Sequence, residues 1–199
     1  SLSGGRPVHY LCDEGAGWLP DLDDIRMKIS ERTKAIVIIN PNNPTGTYLP
    51  RAEIARLHAG LAGDVLLVLD QAYAEYVAPA DDDGALDLAA AHDNVLVTRT
   101  FSKIYGLAAM RLGWAYMPAA IAAIYQRIRG PFNVSSIAAA AGIACVGDDE
   151  FLTLSRDHTT RRRAIMTDGL NAMGLPTPPR GGRRKRRAAA DGPADLMGG

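Results

Sequence analysis

The stretch AIVIINPNNPTG, Ala35–Gly46, is the part of the sequence that decides the fold class. It begins with five consecutive apolar residues, and a second apolar run, VLLVL over Val65–Leu69, follows further along the chain. Continuous apolar runs of this length are typical of strands in a largely parallel sheet that is covered on both faces. Runs at Val95–Val97 and Gly113–Met117 predict two further strands.

Segments with helical periodicity lie between and after these runs. Asp21 is predicted to cap a helix that extends to Ile29, and Pro50 suits the N1 position of a helix that extends to Leu61. Apolar residues with i, i+3, i+4, i+7 spacing over 121–128 predict another amphipathic helix. Because strands and helices alternate, the predicted class is α/β with a mainly parallel sheet.

Charge is distributed unevenly, although the chain has 22 basic and 22 acidic residues. Acidic residues predominate over residues 1–150 and basic residues over 151–199. We expect one more helix over 149–173, with a basic face that includes Arg161–Arg163. The stretch 175–199 is rich in Pro, Gly and Arg and has no strand-like run, so it is predicted to be a disordered basic tail. The basic run at Arg180–Arg187 could contact nucleic acid, but a solvated tail is the favoured interpretation.

Several functional classes are disfavoured by the composition. Cys12 and Cys145 lie far apart, and neither they nor the four histidines have the spacing of metal ligands, so no metal site is expected. No apolar run approaches the roughly 20 residues that span a bilayer, and no secretion signal is visible. We therefore expect a cytoplasmic protein without membrane or nucleic-acid partners. The acidic run Asp81–Asp83 is predicted to be a solvated loop, and the start at Ser1 suggests a missing upstream part.

Polar motifs follow three of the predicted strands at their carboxyl ends. NPNNPTG occupies residues 40–46, DQAY occupies 70–73, and TRTFSK occupies 98–103. In open α/β sheets, ligands bind in the crevice outside the carboxyl ends of the strands. An amide, a carboxylate, a phenol and an amine are therefore expected at one rim, which is a candidate site.

These motifs, in this order, resemble the signature of fold-type I aminotransferases that depend on pyridoxal 5'-phosphate (PLP). The resemblance extends over roughly Val8 to Asn171 and includes TFSKIYGLAAMRLGW at 100–114. It implies a three-layer α/β/α fold with a mainly parallel sheet, here an incomplete large domain. By this resemblance, residues 1–147 are a partial PLP-binding domain, and 148–174 form a helix that leads towards a missing small domain.

The resemblance also assigns roles around the cofactor ring. PLP needs an amine for its imine linkage, and Lys103 is the matching lysine, which would afterwards act as general base and acid. Asp70 would pair with the pyridine nitrogen and keep it protonated. Tyr73 and Asn43 would both bond the phenolate oxygen of the ring.

The cofactor phosphate is a dianion that favours hydroxyls and a guanidinium group. The matching residues are Thr100, Ser102 and Arg111. Taken singly, each motif has another interpretation: NPNNPTG could be a turn, Asp70 a helix cap, and Lys103 a solvated surface charge. Their joint occurrence in the family's order favours one shared site.

Two parts of the chain resemble different branches of the family. From Val65 onward the chain is similar to histidinol-phosphate aminotransferases, whereas residues 1–46 are closer to the alanine aminotransferase branch. We expect amino transfer between an amino acid or amine, with histidinol phosphate favoured, and a 2-oxo acid such as 2-oxoglutarate. The alternatives are an alanine- or aspartate-type aminotransferase, another PLP enzyme such as a decarboxylase or lyase, and an inactive fragment. The resemblance also implies a homodimer for the full-length family, and an upstream phosphate loop and a downstream carboxylate-binding arginine that are absent here.

Overall fold

The computed structural model describes residues 4–15, 17–175 and 177. This part of the chain contains six α-helices and four strands, and helices and strands alternate over the first six of these elements. In chain order they are α1 Leu22–Lys28, β1 Ala35–Ile39, α2 Arg51–Ala59, β2 Leu66–Asp70, α3 Ala85–Ala91, β3 Val95–Thr100, β4 Gly113–Tyr116, α4 Ala119–Ile128, α5 Ser136–Val146 and α6 Asp149–Ala172. Three 3₁₀ turns lie at Ala74–Tyr76, Pro79–Asp81 and Ala108–Met110.

The four strands form one sheet in the order β1-β2-β3-β4. β1, β2 and β3 are parallel, and β4 runs antiparallel to β3. Residues 101–112, between β3 and β4, contain a 3₁₀ turn and no crossover helix, so the chain returns beside β3 in the opposite direction. The prediction of an α/β fold with a mainly parallel sheet is confirmed.

The hydrophobic core lies on one face of the sheet. The pairing register aligns Ile38 with Leu69 and Leu69 with Val97, and all three side chains are fully buried. Helices α1, α2 and α3 contribute to the same core, through buried residues that include Leu22 and Leu57. Burial of apolar side chains in this layer stabilises the fold, at about 25 cal/mol per Å² of apolar area removed from water.

The opposite face of β1 is not covered by any element in the described part. Burial alternates along β1, and Val37 remains 50% exposed. The expectation that this strand is covered on both faces is therefore wrong for the described chain. Helices α5 and α6 contact the 3₁₀ turns at Ala108–Met110 and Ala74–Tyr76, respectively.

The predicted helices are present, but the bounds of α2 differ from the predicted ones. Asp21 caps α1, with its carboxylate accepting from the backbone N–H groups of Asp23 and Asp24. Pro50 is the N-cap residue of α2 and not its N1 residue, because its ψ of 162° is extended and the helix begins one residue later. That helix also ends at Ala59, so Leu61 lies beyond it.

The long helix α6 has 24 residues and agrees with the predicted 149–173 segment. Arg156 of α6 donates from Nε to the carbonyl oxygen of Glu75 at 2.9 Å, which fastens the helix to the turn after β2. The predicted disordered tail, 175–199, lies outside the described residues except for Leu175 and Thr177. Among the helices of the described residues, none is both long and apolar enough to cross a bilayer.

Candidate active site

Three motif segments leave the sheet side by side at its carboxyl edge. The backbone N–H of Asn40 donates to the carbonyl of Asp70 at 2.9 Å, and that of Gln71 donates to the carbonyl of Thr98 at 2.9 Å. Sheet pairing therefore continues past the strand ends into the motifs. The structure thus places the three motifs together at the carboxyl edge of the sheet, as the sequence predicts.

The NPNNPTG segment forms a tight loop that projects Asn43 from the sheet. The N–H of Gly46 donates to the carbonyl of Asn42 at 2.8 Å, and the N–H of Asn42 donates to the carbonyl of Thr47 at 2.9 Å. Gly46 has a φ of 67°, a conformation that favours glycine. Both Asn–Pro bonds of the loop are cis, and Asn43 at its tip is exposed.

The loop tip meets the DQAY and TFSK segments through one phenol ring. The Nδ2 atom of Asn43 donates to the hydroxyl oxygen of Tyr73 at 3.0 Å. The Nζ atom of Lys103 lies 5.2 Å from the centroid of the same ring, within the range of a cation–π contact. Among the described residues, no carboxylate lies within ion-pairing distance of Lys103, so its amine is not held by a salt bridge.

Asp70 ends β2 at the same rim. Its Oδ1 atom accepts a hydrogen bond from the backbone N–H of Ala72 at 3.1 Å. Its Oδ2 atom has no hydrogen-bond partner in the part of the chain that the structure describes. The half-buried carboxylate therefore keeps one oxygen available to a donor from a ligand.

A second group of polar side chains lies around the loop after β3. Arg111 donates from Nη1 to Ser102 Oγ at 3.3 Å and to the carbonyl of Ala108 at 2.8 Å. The hydroxyl oxygen of Thr100 accepts from the backbone N–H of Ser102 at 3.0 Å. These three residues, predicted to bind one phosphate, are thus linked to one another.

The backbone of Arg111 has a φ of 53°, in the left-handed region that non-glycine residues seldom adopt. Such a conformation costs of order 1–3 kcal/mol and is kept only where the surrounding structure determines it. Here the turn at Ala108–Met110 ends at Arg111, and the side chain bonds back to Ala108. The strained position places the guanidinium group next to Ser102.

Tyr76 lies beside Tyr73 at the candidate site, although no sequence motif predicted it there. Its ring centroid lies 6.4 Å from that of Tyr73. Burial raises the pKa of Tyr76, the neighbouring Tyr73 and Glu75 raise it further, and the charge of Lys103 opposes the rise. The available signal was spacing, since Tyr73 and Tyr76 lie three residues apart at a 3₁₀ turn.

Asp83 corrects the interpretation of the acidic run as a solvated loop. Asp81 and Asp82 are exposed as expected, but Asp83 is only 3% exposed. Its carboxylate accepts hydrogen bonds from the side-chain amides of Asn40 and Gln71. The reason is that residue 83 precedes α3 and points into the space between the first two motif segments.

In the described part of the chain, no group of three or more His, Cys, Asp or Glu side chains is placed so that it could hold a metal ion. Both cysteines, Cys12 and Cys145, are free and partly buried. Burial raises the pKa of each thiol, which favours the protonated, less reactive form.

The fold and this rim define an α/β protein with a candidate ligand site at the carboxyl edge of a mainly parallel sheet. The chain belongs to the family described as aminotransferase class I and II, whose model matches residues 1–182. The solved structures to which the chain is similar confirm the predicted fold class.

Two curated relatives are histidinol-phosphate aminotransferases. The one from Hyphomonas neptunium is 67% identical over 151 residues, which cover 76% of this chain and 41% of the relative. The one from Erythrobacter litoralis is 53% identical over 159 residues, which cover 80% of this chain and 43% of the relative. The chain thus spans less than half the length of the curated relatives it matches.

Among solved structures, the chain is similar to the histidinol-phosphate aminotransferase from Sinorhizobium meliloti in complex with pyridoxal-5'-phosphate. The TM-score is 0.79 at 29% identity, and the match covers 87% of this chain and 47% of that protein. A double mutant of the aspartate aminotransferase of Thermus thermophilus matches with a TM-score of 0.72 at 27% identity, over 88% of this chain and 48% of that protein.

Proposed function

We propose that this chain is the cofactor-binding part of a PLP-dependent aminotransferase whose amino donor is histidinol phosphate and whose acceptor is a 2-oxo acid such as 2-oxoglutarate. One observation carries the proposal: the amine of Lys103, the phenol of Tyr73 and the amide of Asn43 meet at one rim. The identity to histidinol-phosphate aminotransferases, 67% in the Hyphomonas relative, supports the choice of donor.

The functional groups at the rim match the chemical groups of PLP. A free amine suits the aldehyde carbon, and the open Oδ2 atom of Asp70 suits the protonated ring nitrogen. The hydroxyl of Tyr73 and the amide of Asn43 suit the phenolate oxygen. A guanidinium group with adjacent hydroxyls suits the phosphate dianion, and these come from Arg111, Ser102 and Thr100.

When bound, PLP would supply an electron sink that stabilises negative charge at the substrate carbon. Lys103 would hold the cofactor and then move a proton at that carbon as general base and acid. Asp70 would keep the ring nitrogen protonated, because an ionised carboxylate stabilises a nearby positive charge. Tyr73 and Asn43 would orient the ring, and Arg111 would anchor its phosphate end.

The wider organisation belongs to the same proposal. Residues 1–147 would form part of the PLP-binding domain, 148–174 would lead towards a small domain, and 175–199 would be a disordered basic tail. The full-length protein would act as a homodimer, as the resemblance to the family implies, and it would lie in the cytoplasm. The chain alone would be weakly active or inactive, because it spans less than half of its relatives.

The proposal is tested by titrating the purified chain with PLP and recording absorbance. A near-visible band should appear, and borohydride reduction should abolish it and fix the cofactor to the tryptic peptide that contains residue 103. The band should be absent in Lys103→Ala. A chain that binds PLP without such a band, or labelling elsewhere, would contradict the assignment of Lys103.

Lys34→Ala is the matched control for this experiment. Lys34 is 75% exposed in its side chain and lies far from the rim, with its Nζ atom 3.9 Å from Asp64. The substitution removes an amine of the same chemistry, so the band should persist unchanged. For the donor, the full-length protein should form product with histidinol phosphate faster than with alanine or aspartate, and release of carbon dioxide would indicate a decarboxylase.

A further inference from the structure

A buried carboxylate joins two of the motif segments behind the candidate site. Asp83 Oδ2 accepts from Asn40 Nδ2 at 2.7 Å, and Gln71 Nε2 lies 2.7 and 2.8 Å from the two carboxylate oxygens. Asn40 is the first residue of NPNNPTG, and Gln71 is the second residue of DQAY. Both amide residues are 1% exposed, so water does not compete for these bonds.

Both amide groups are held in one orientation from their other ends. Asn40 Oδ1 accepts from the backbone N–H of Leu49 at 2.8 Å. Gln71 Oε1 accepts from Arg99 Nε at 3.1 Å and from Arg99 Nη2 at 2.9 Å. Each amide must therefore present its NH₂ group to residue 83. An ionised carboxylate, which only accepts, is the group that satisfies both.

The network extends to all three segments that carry the site residues. Asn40 lies three residues before Asn43 in the same tight loop, and Gln71 lies between Asp70 and Tyr73. Arg99, at the far end of the network, immediately precedes Thr100. The hydrogen bond between Asn43 and Tyr73 thus joins two segments that Asp83 already holds together from behind.

We infer that Asp83 is a positioning residue for the candidate site. Acting through Asn40 and Gln71, it sets the separation between the segments that carry Asn43 and Tyr73, and so the position of the phenol beneath the Lys103 amine. The consequence for cofactor binding rests on the proposed function. The connection itself is a property of the folded chain and can be tested without cofactor.

The substitution Asp83→Asn changes the hydrogen-bonding groups of the side chain while keeping its size nearly constant, so it tests the hydrogen bonds of Asp83 separately from its packing. The backbone N–H of Ala85 donates to Oδ1 at 3.0 Å, so both carboxylate oxygens accept from fixed donors. An asparagine in this place has one NH₂ group, which faces either Ala85 or Asn40 in a donor–donor contact. A buried polar group that loses its partner is destabilising, so the two segments should separate or admit water.

The first test is the PLP affinity of the full chain, measured from the near-visible absorbance. Asp83→Asn should weaken binding about tenfold, the effect of one lost buried hydrogen bond. Asp82→Asn is the matched control, since the neighbouring side chain is exposed, and binding should stay within about twofold. Equal affinity of the two variants would overturn the inference.

The second test asks whether Asp83 acts through Tyr73. In the double variant Asp83→Asn with Tyr73→Phe, the loss of affinity should be clearly smaller than the product of the two single losses, because the phenol that Asp83 positions is already absent. A loss equal to that product would show independent effects and would overturn the positioning role. A general loss of stability alone would give no such coupling.

The third test does not depend on PLP. Amide hydrogen exchange over residues 40–46 and 71–73 should be faster in Asp83→Asn than in Asp82→Asn, and equal exchange would overturn the connection. If the wild-type chain binds no PLP, the proposed function fails while this comparison still decides the inference. If Asp83→Asn does not fold, Asp83→Ser keeps one acceptor for Ala85, and faster exchange over the same residues is expected.

Discussion

The ammonium group of Lys103 lies over the ring of Tyr73, with Nζ 5.2 Å from the ring centroid. The hydroxyl of that ring accepts a hydrogen bond from Asn43 at its edge. The phenol of Tyr73 is therefore contacted at its face by Lys103 of the TFSK segment and at its edge by Asn43 of the NPNNPTG segment. This arrangement lets the contribution of the hydroxyl be measured separately from that of the ring.

Tyr73→Phe should weaken PLP binding about threefold to tenfold, because it removes one hydrogen-bonding group and retains the ring beneath Lys103. The free energy of unfolding should change by less than about 0.5 kcal/mol, since the bond to Asn43 is exposed. Absorbance titration and urea unfolding measure the two quantities. Tyr125→Phe, on the exposed side of α4, is the control and should change neither.

Arg111→Lys should weaken binding of PLP about tenfold while leaving the affinity for pyridoxal, which has no phosphate, unchanged. Lysine retains the positive charge but cannot present the planar fork of arginine, whose Nη1 atom bonds both Ser102 and Ala108. Competition titrations with the two ligands provide the measurement. Arg127→Lys on α4 serves as the control, and an equal loss for both ligands would argue against a phosphate contact.

Val97→Ala should lower the free energy of unfolding by about 2 kcal/mol, from two buried methyl groups and the cavity they leave. Val37→Ala is the matched control, because the same residue type on the same sheet is 50% exposed at position 37 and 0% exposed at position 97. Its cost should stay below about 1 kcal/mol. Urea unfolding of both variants is the measurement, and similar costs would mean that both faces of the sheet are covered in solution.

Asp24 should contribute stability that is lost in acid. Its hydrogen bond from Lys28, at 2.7 Å, lowers the pKa of the carboxyl, and the bond from the N–H of Leu11 lowers it further. Because the folded pKa lies below the unfolded value of about 3.9, the contribution is present above that pH and disappears as the pH falls through the folded pKa.

Unfolding experiments at pH 7 and at pH 3 measure this contribution. Asp24→Asn should be destabilised relative to the wild type at pH 7, and the difference should shrink at pH 3. Asp64→Asn provides the comparison, since Asp64 is 73% exposed and its contact with Lys34 is long. A difference between wild type and Asp24→Asn that grew towards acid pH would contradict the assigned direction.

The sequence predicted the strands well because β1, β2 and β3 each begin as a short apolar run that leads into a polar motif. β4 is a short run that contains two aromatic residues and has no such motif after it. β1 matches its predicted bounds, and β2, β3 and β4 differ by one to three residues at their ends. The convergence of the three motifs also followed from the sequence, since parallel strands end at the same edge. Their detailed roles came from the family resemblance and remain predictions.

The remaining features depend on contacts that a single sequence does not reveal. Nothing in DDD at 81–83 distinguishes the buried Asp83 from its exposed neighbours, because its partners Asn40 and Gln71 lie 43 and 12 residues away. The exposed face of β1 likewise depends on which elements are near it in space. Apolar runs indicate that a strand is suited to burial, and Val37 shows that they do not specify the covering element.

Arg156 attaches α6 near the start of the helix, so a rotation of the helix about this hydrogen bond would move its far end the most. From that hydrogen bond to Ala172 the helix extends sixteen residues, or about 24 Å, so a tilt of about 10° at the bond would carry its far end through about 4 Å. The acceptor of this hydrogen bond is the carbonyl of Glu75, two residues from Tyr73. A small rotation of α6 beside the rim would therefore displace the end of the helix by several ångströms.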